Sequence, residues 1–207
     1  MQNLIKESKR IYSQFLLHGP KYLDTFDYQP ITTFTIEALK TKSLQDYINK
    51  NLTMYQEISM LPIQFEPDNS FAFAIFTLAP QVTMPLHDHP DMFVLSYVLH
   101  GEGIREGWNI KQVDQEKVNQ FKKTTIQQDI RVEAEELPSL SLKTGDICYT
   151  TPNKCNLHSF INNSSTQPFV FLDIIVPHYD ESINRTITYF QRNNKENQLK
   201  LIQQDEL

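Results

Sequence analysis

Pro85-Leu86-His87-Asp88-His89-Pro90 decides how this chain reads. Side chains two apart on an extended strand project to the same face, so His87 and His89 are placed to reach one metal ion. A third histidine follows downstream in Asn156-Leu157-His158-Ser159-Phe160, a run that also reads as strand. Three neutral nitrogens converging from two strands would form a metal site with open positions. The first expectation is therefore a β-structure organised around His87, His89 and His158.

The surrounding sequence has the matching texture. Short β-rich runs follow one another at Phe71–Leu78, Phe93–His100, Ile147–Thr151, Leu157–Asn162 and Phe169–Val176. Turn residues separate them, among them Pro67-Asp68-Asn69, Gly101-Glu102-Gly103 and Thr144-Gly145-Asp146. This spacing suits an antiparallel sandwich or barrel rather than βαβ units. Before residue 58 the pattern is helical. Leu4, Ile5, Tyr12, Phe15 and Leu16 can share a helix face over 3–16, and Pro20 stops the pattern. A second helix is expected from Ser43 to about Glu57, with Ser43 and Asp46 as a capping pair. Lys111–Glu136 is strongly polar and reads as an exposed excursion between hairpins. The expected organisation is a helical preface over 1–57 packed on a β domain over 58–190, then a polar tail over 191–207.

Bulk properties narrow the function. The 207 residues are 40% hydrophobic and carry a net charge of -6. That balance argues against a nucleic-acid partner, because phosphate binding needs clustered Lys and Arg. Two cysteines, Cys148 and Cys155, are too few for a disulfide framework. No apolar run is long enough to span a membrane as a helix. The expected location is the cytosol. Residues 1–21 are amphipathic and mostly basic, which keeps a mitochondrial address as the alternative.

A lone histidine in a strand is usually a satisfied polar residue, and His-x-His alone is weak. The context strengthens it. Gly145-Asp146 opens a short strand, Pro152 ends it, and His158 follows six residues later with Asn162 four beyond. Glycine, apolar strand, proline and histidine in that order resemble the second half of the metal motif of cupins, the double-stranded β-helix proteins. His87, His89 and Gly101 fit the first half. Cupins often place a glutamate four residues past the second histidine, where this chain has Phe93 and Val94. Three neutral imidazoles leave the full charge on a dipositive ion and about three positions open on an octahedral one. Such a site could accept an anionic substrate together with O₂.

The chain resembles a family with this ligand set: the cysteamine dioxygenases and plant cysteine oxidases, iron-dependent thiol dioxygenases built on a cupin jelly-roll barrel. Pro85-Leu86-His87-Asp88-His89-Pro90-Asp91-Met92 resembles the family's Pro-Leu-His-Asp-His-Pro-Gly-Met. Val98-Leu99-His100-Gly101 resembles Leu-Leu-Tyr-Gly, and Asp173-Ile174-Ile175-Val176-Pro177-His178-Tyr179 resembles Asp-Ile-Leu-Gly-Pro-Pro-Tyr. Asn156–Phe160, Arg185 through Phe190 and Leu4–Phe15 are similar to further family segments. The likeness covers roughly residues 3–190.

The resemblance implies a mainly β cupin fold with N-terminal helices and an Fe(2+) site at His87, His89 and His158. It also implies oxidation of a thiol to a sulfinic acid by O₂. The thiol would be cysteamine or the N-terminal cysteine of a peptide. Asp173 and Tyr179 match pocket residues. Asp173 is expected to hold the substrate ammonium or orient a ligand histidine, and Tyr179 to donate a hydrogen bond near the oxygen. The rim departs from the family. Asp91 replaces a glycine, Lys154-Cys155 replace Gly-Gly, Val176 and His178 replace Gly and Pro, and Ile187 stands where some members carry a cross-linking cysteine.

Three other readings remain at this point. One is a cupin-fold accessory subunit of a larger assembly. Another is a zinc or manganese cupin such as a sugar isomerase, although those usually keep a carboxylate ligand. The third is zinc held by Cys148, Cys155 and His158. Cys148 also reads as an ordinary buried strand residue and Cys155 as a loop residue. His18, His100 and His178 lack a partner at ligand spacing and read as structural or surface.

Overall fold

A computed structural model describes residues 1–51, 57–112, 131–192 and 198–202. Helix α1 (Gln2–His18) buries Leu4, Glu7, Ser8 and Ile11, while Leu16 is 65% exposed. Of the expected face, Leu4 is buried and Ile5, Tyr12 and Phe15 pack partly buried against the same core, so Leu16 alone departs from it; Glu7 is accommodated by pairing with Arg10 at 2.7 Å. A 3-10 turn at Pro20–Asp24 leads to α2 (Gln29–Leu39), which the sequence pattern did not announce. Thr32, Thr33 and Thr35 are weak helix formers. Here Thr32 and Thr35 donate their hydroxyls back to the Tyr28 and Ile31 carbonyls, and packing supplies the remainder. Helix α3 (Lys42–Asn51) begins one residue before Ser43. It does not extend to Glu57, because Ile58 already opens a strand; residues 52–56 lie outside the described ones.

Among the described residues twelve strands make two antiparallel sheets. The first has the order β1 (Ile58–Phe65), β2 (Ala72–Leu78), β10 (Phe169–Val176), β4 (Phe93–His100), β8 (Ile147–Thr150). The second has the order β6 (Arg131–Glu136), β12 (Gln198–Ile202), β11 (Tyr189–Arg192), β3 (Leu86–Asp88), β9 (Leu157–Ile161), β5 (Glu102–Gln112), β7 (Leu140–Lys143). β6 also pairs with β5, which closes six of these strands into a ring. The chain is thus a mainly β, double-stranded β-helix with N-terminal helices.

Alternation along β10 explains how the first sheet can be buried on both faces. Val170, Leu172, Ile174 and Val176 join the helices' Leu4, Ile11, Leu23 and Ile31 in one core. Phe169 and Phe171 turn to the opposite face, against Phe160 and Leu78 between the sheets. Full burial of a side chain such as Phe93 or Phe73 contributes about 2–3 kcal/mol. Asp173 shares the inward parity of Phe169 and Phe171, and so faces the space between the sheets.

Two polar stretches take part in the second sheet. Within Lys111–Glu136, Lys111 and Gln112 end β5 and Arg131–Glu136 form β6; residues 113–130 lie outside the described ones. β6 alternates buried Val132 and Ala134 with exposed Glu133 and Glu135, so these two carboxylates face water while the small apolar residues pack on Trp108. Within 191–207, Gln198–Ile202 pair with β11 and β6, and Leu199 is buried in the same cluster. Among the described residues no helix is long and apolar enough to cross a membrane.

Candidate metal centre

β3 and β9 pair antiparallel with His87 directly opposite His158. His89 lies just beyond β3, where its backbone N–H donates to the Asn156 carbonyl at 3.0 Å and continues the register. The three rings are buried, with centroids 4.8 to 4.9 Å apart. One nitrogen from each lies within 4.8 Å of the others, an arrangement able to hold a metal ion.

Hydrogen bonds behind the rings fix which nitrogens face inward. His87 Nδ1 lies 2.8 Å from the Pro85 carbonyl, which only accepts, so Nδ1 carries the proton and Nε2 the lone pair. The Tyr179 hydroxyl donates to the Asp88 carbonyl at 3.0 Å, so its oxygen accepts from His89 Nδ1 at 3.1 Å. His89 then also presents an Nε2 lone pair. Thr150 Oγ1 lies 3.0 Å from His158 Nδ1 and accepts from Arg105 Nη2 at 2.7 Å.

These groups fit a metal ion. The Nε2 atoms of His87 and His89 stand 3.1 Å apart with lone pairs facing each other, a repulsive arrangement without a cation between them. Imidazole nitrogens about 2.1 Å from a metal and at right angles lie about 3 Å apart. His158 Nε2 is buried with no hydrogen-bond partner among the described residues. Burial lowers all three pKa values. For His89 and His158 the neighbouring histidines and Arg105 push further down, whereas the Pro85 carbonyl partly opposes the effect at His87. The rings are therefore neutral at physiological pH, the form that binds metal.

The two expected pocket residues have different surroundings. Tyr179, half-buried, donates its hydroxyl to the Asp88 carbonyl and accepts from His89 Nδ1. Asp173 stands apart from the ring hydrogen bonds. Its Oδ1 accepts from Ser96 Oγ at 2.6 Å, across the β10–β4 register. Burial raises its pKa to about 7, against the opposing Ser96 hydrogen bond and Arg105 charge. Sequence reading missed Thr150, Arg105 and the Pro85 carbonyl. For Thr150 the available signal was a polar residue sharing the inward parity of Cys148 on an apolar run; the polar β5 run carried no such signal for Arg105. Replacing Thr150 with Val should weaken Co²⁺ binding about 10-fold in a titration while the fold is kept, because outer hydrogen bonds of metal ligands matter by that order.

The rim departures have a backbone signature. Asp91 (φ 55) and Cys155 (φ 53) both adopt the left-handed conformation that glycine enters freely. An L residue costs about 1 kcal/mol there. The Cys155 thiol packs over Gly107, the residue of β5 opposite His158; a Cβ on Gly107 would collide with the Cys155 sulfur. Gly107→Ala should therefore destabilise by about 2 kcal/mol in chemical denaturation. Adding Cys155→Gly should recover most of that loss. Burial raises both thiols, Cys148 to about 11, so both remain protonated. Among the described residues the group that converges contains the three histidines and neither cysteine, so nothing supports the zinc reading through Cys148 and Cys155.

Comparison with known proteins gives concordant matches. The model of the PCO_ADO family matches residues 31–206. A curated relative from Dictyostelium discoideum, named as a probable 2-aminoethanethiol dioxygenase, is 28% identical over 163 residues, 75% of this chain and 67% of that protein. Among solved structures, a conserved protein with a double-stranded beta-helix domain from Klebsiella pneumoniae is 16% identical. The match covers 74% of this chain and 98% of that one, with a TM-score of 0.45. The Cnp3 cupin domain of Schizosaccharomyces pombe is 11% identical over 66% of this chain and 75% of its own, with a TM-score of 0.43.

Proposed function

The chain belongs to the PCO_ADO family, the cysteamine dioxygenases and plant cysteine oxidases, and from that membership we propose that it is an iron(II)-dependent thiol dioxygenase. The reaction joins R–SH and O₂ into R–SO₂H, with both oxygen atoms retained. The thiol is cysteamine or the N-terminal cysteine of a peptide. The observation that carries this reading is the convergence of three neutral imidazoles, two of whose outer nitrogens are committed to the Pro85 carbonyl and the Tyr179 hydroxyl.

His87, His89 and His158 would hold the iron. When bound, it supplies the redox chemistry that unites a thiol with O₂. The protein's residues supply the surroundings. The Pro85 carbonyl, Tyr179 and Thr150 keep three rings in one orientation each, so no reorganisation is needed when a substrate arrives. Met92, Val94 and Ile175 form an apolar cluster with Tyr179 beside the site and limit water. Asp173, inward-facing and free of the histidines, is placed in the role of receiving the substrate ammonium. Charge pairing in a buried setting would fix the thiol end by fixing the amine end.

The test is to purify the chain, measure its iron, and follow oxygen consumption with cysteamine and with a peptide beginning with cysteine. Turnover of either thiol supports the reading, and the preferred one names the substrate class. Iron without turnover on any thiol favours an accessory cupin subunit.

A further inference from the structure

Arg105 carries its guanidinium into the interior without an anionic contact among the described residues. The residue is 4% exposed. Its Nη2 donates to the Tyr149 carbonyl at 2.9 Å and to Thr150 Oγ1 at 2.7 Å. Nε is buried and unpartnered, and the described ion pairs do not include this residue. Asp173, whose charge it feels, directs Oδ1 to Ser96 instead. An arginine has five N–H donors and no means of neutralising itself by losing a proton. A buried cation of this kind is strongly disfavoured unless an anion faces it.

Arg105 also lines a cavity of about 610 Å³. Its walls come from both sheets: Ile147 and Tyr149 of the edge strand β8, Leu140 of the edge strand β7, and Arg105 of β5, the neighbour of β7. Lys154 adds a second cation from the loop before the third histidine. Asp24 stands on the same wall, but donors cap its oxygens. Oδ1 takes the Thr151 hydroxyl and the Asn153 backbone N–H, and Oδ2 takes the Asn153 side-chain amide. Two cations against one capped carboxylate leave the cavity positive.

We propose that this cavity is a binding site for a small free oxyanion of the carboxylate, sulfinate or phosphate class, held by the free N–H groups of Arg105 and by Lys154. The site is distinct from the three-histidine cluster and independent of the reaction assigned to it. Its nearest link to that cluster is Thr150, which Arg105 shares with His158.

Calorimetric titration of inorganic phosphate at constant ionic strength tests it on the full chain and three variants. His87→Ala disables the metal cluster and leaves the cavity intact. Lys154→Glu reverses a cavity charge at the rim, and Arg105→Gln removes the central donor. Wild type and His87→Ala should bind phosphate alike, whereas affinity should fall by about 10-fold or more in Lys154→Glu and Arg105→Gln. Lys154→Glu decides the matter even where Arg105→Gln does not fold. Absence of phosphate binding to wild type overturns the proposal. So does binding that survives in Lys154→Glu or disappears in His87→Ala, since the anion would then sit elsewhere or on the metal.

Discussion

His158→Ala should yield a folded chain with less than about a tenth of the wild-type iron and turnover reduced at least about 1000-fold. His158 sits opposite His87 in the β3–β9 pair, and its Nε2 is the buried, unpartnered nitrogen of the cluster. Truncation removes one of three donors and leaves Thr150 Oγ1 without its ring partner. His87→Ala and His89→Ala should behave the same way. Elemental analysis of the purified variants checks the iron, and circular dichroism confirms that the sheets survive. A variant that keeps full iron would move the metal away from these rings.

Asp173→Asn should retain iron and lose about 100-fold in activity, the scale of a buried charge pair worth ~3 kcal/mol. The carboxyl titrates at about 7 in the folded protein because burial disfavours its charge, against about 3.9 when unfolded. The folded state therefore binds more protons between those values, and this group's contribution to stability falls as pH rises from about 4 to about 7. Asn has no charge to bury, so the variant should unfold at a higher temperature than wild type at pH 8. The gain should shrink steadily as pH falls towards 4. Activity follows the opposite course, because the ionised carboxylate is the form that can meet an ammonium. Wild-type rate should rise through pH 7, and that limb should be missing in Asp173→Asn. A stability gain with an unchanged rate would leave Asp173 as a buried structural acid.

Much of this site could be read from the sequence because its central part is local. His87 and His89 lie two residues apart, and both histidine-bearing runs carry clear strand signals around them, so a single antiparallel pairing gathers the three rings. The inward aspect of Asp173 follows from simple alternation with Phe169 and Phe171. The supporting atoms were harder to read. Thr150 and Arg105 lie on different sheets, and no spacing along the chain indicates that they meet behind His158. The Tyr179 hydroxyl was expected near oxygen, yet its geometry with the Asp88 carbonyl and His89 Nδ1 depends on how the turn after β10 folds back. Helix α2 was hidden by threonines whose hydroxyls bond to its own backbone. Strand β6 was hidden by glutamates, although Val132 and Ala134 kept the alternating period. In each case a residue type was weighed alone where its tertiary partner decided the outcome.

The most direct measurement is mass spectrometry of the product formed from cysteamine or a cysteine-initiated peptide by the iron-loaded chain under ¹⁸O₂. Dioxygenation at the three-histidine centre predicts a sulfinic acid carrying two ¹⁸O atoms, formed by wild type and absent with His158→Ala. A product with one ¹⁸O or none, a disulfide alone, or equal yields from the two proteins would contradict it.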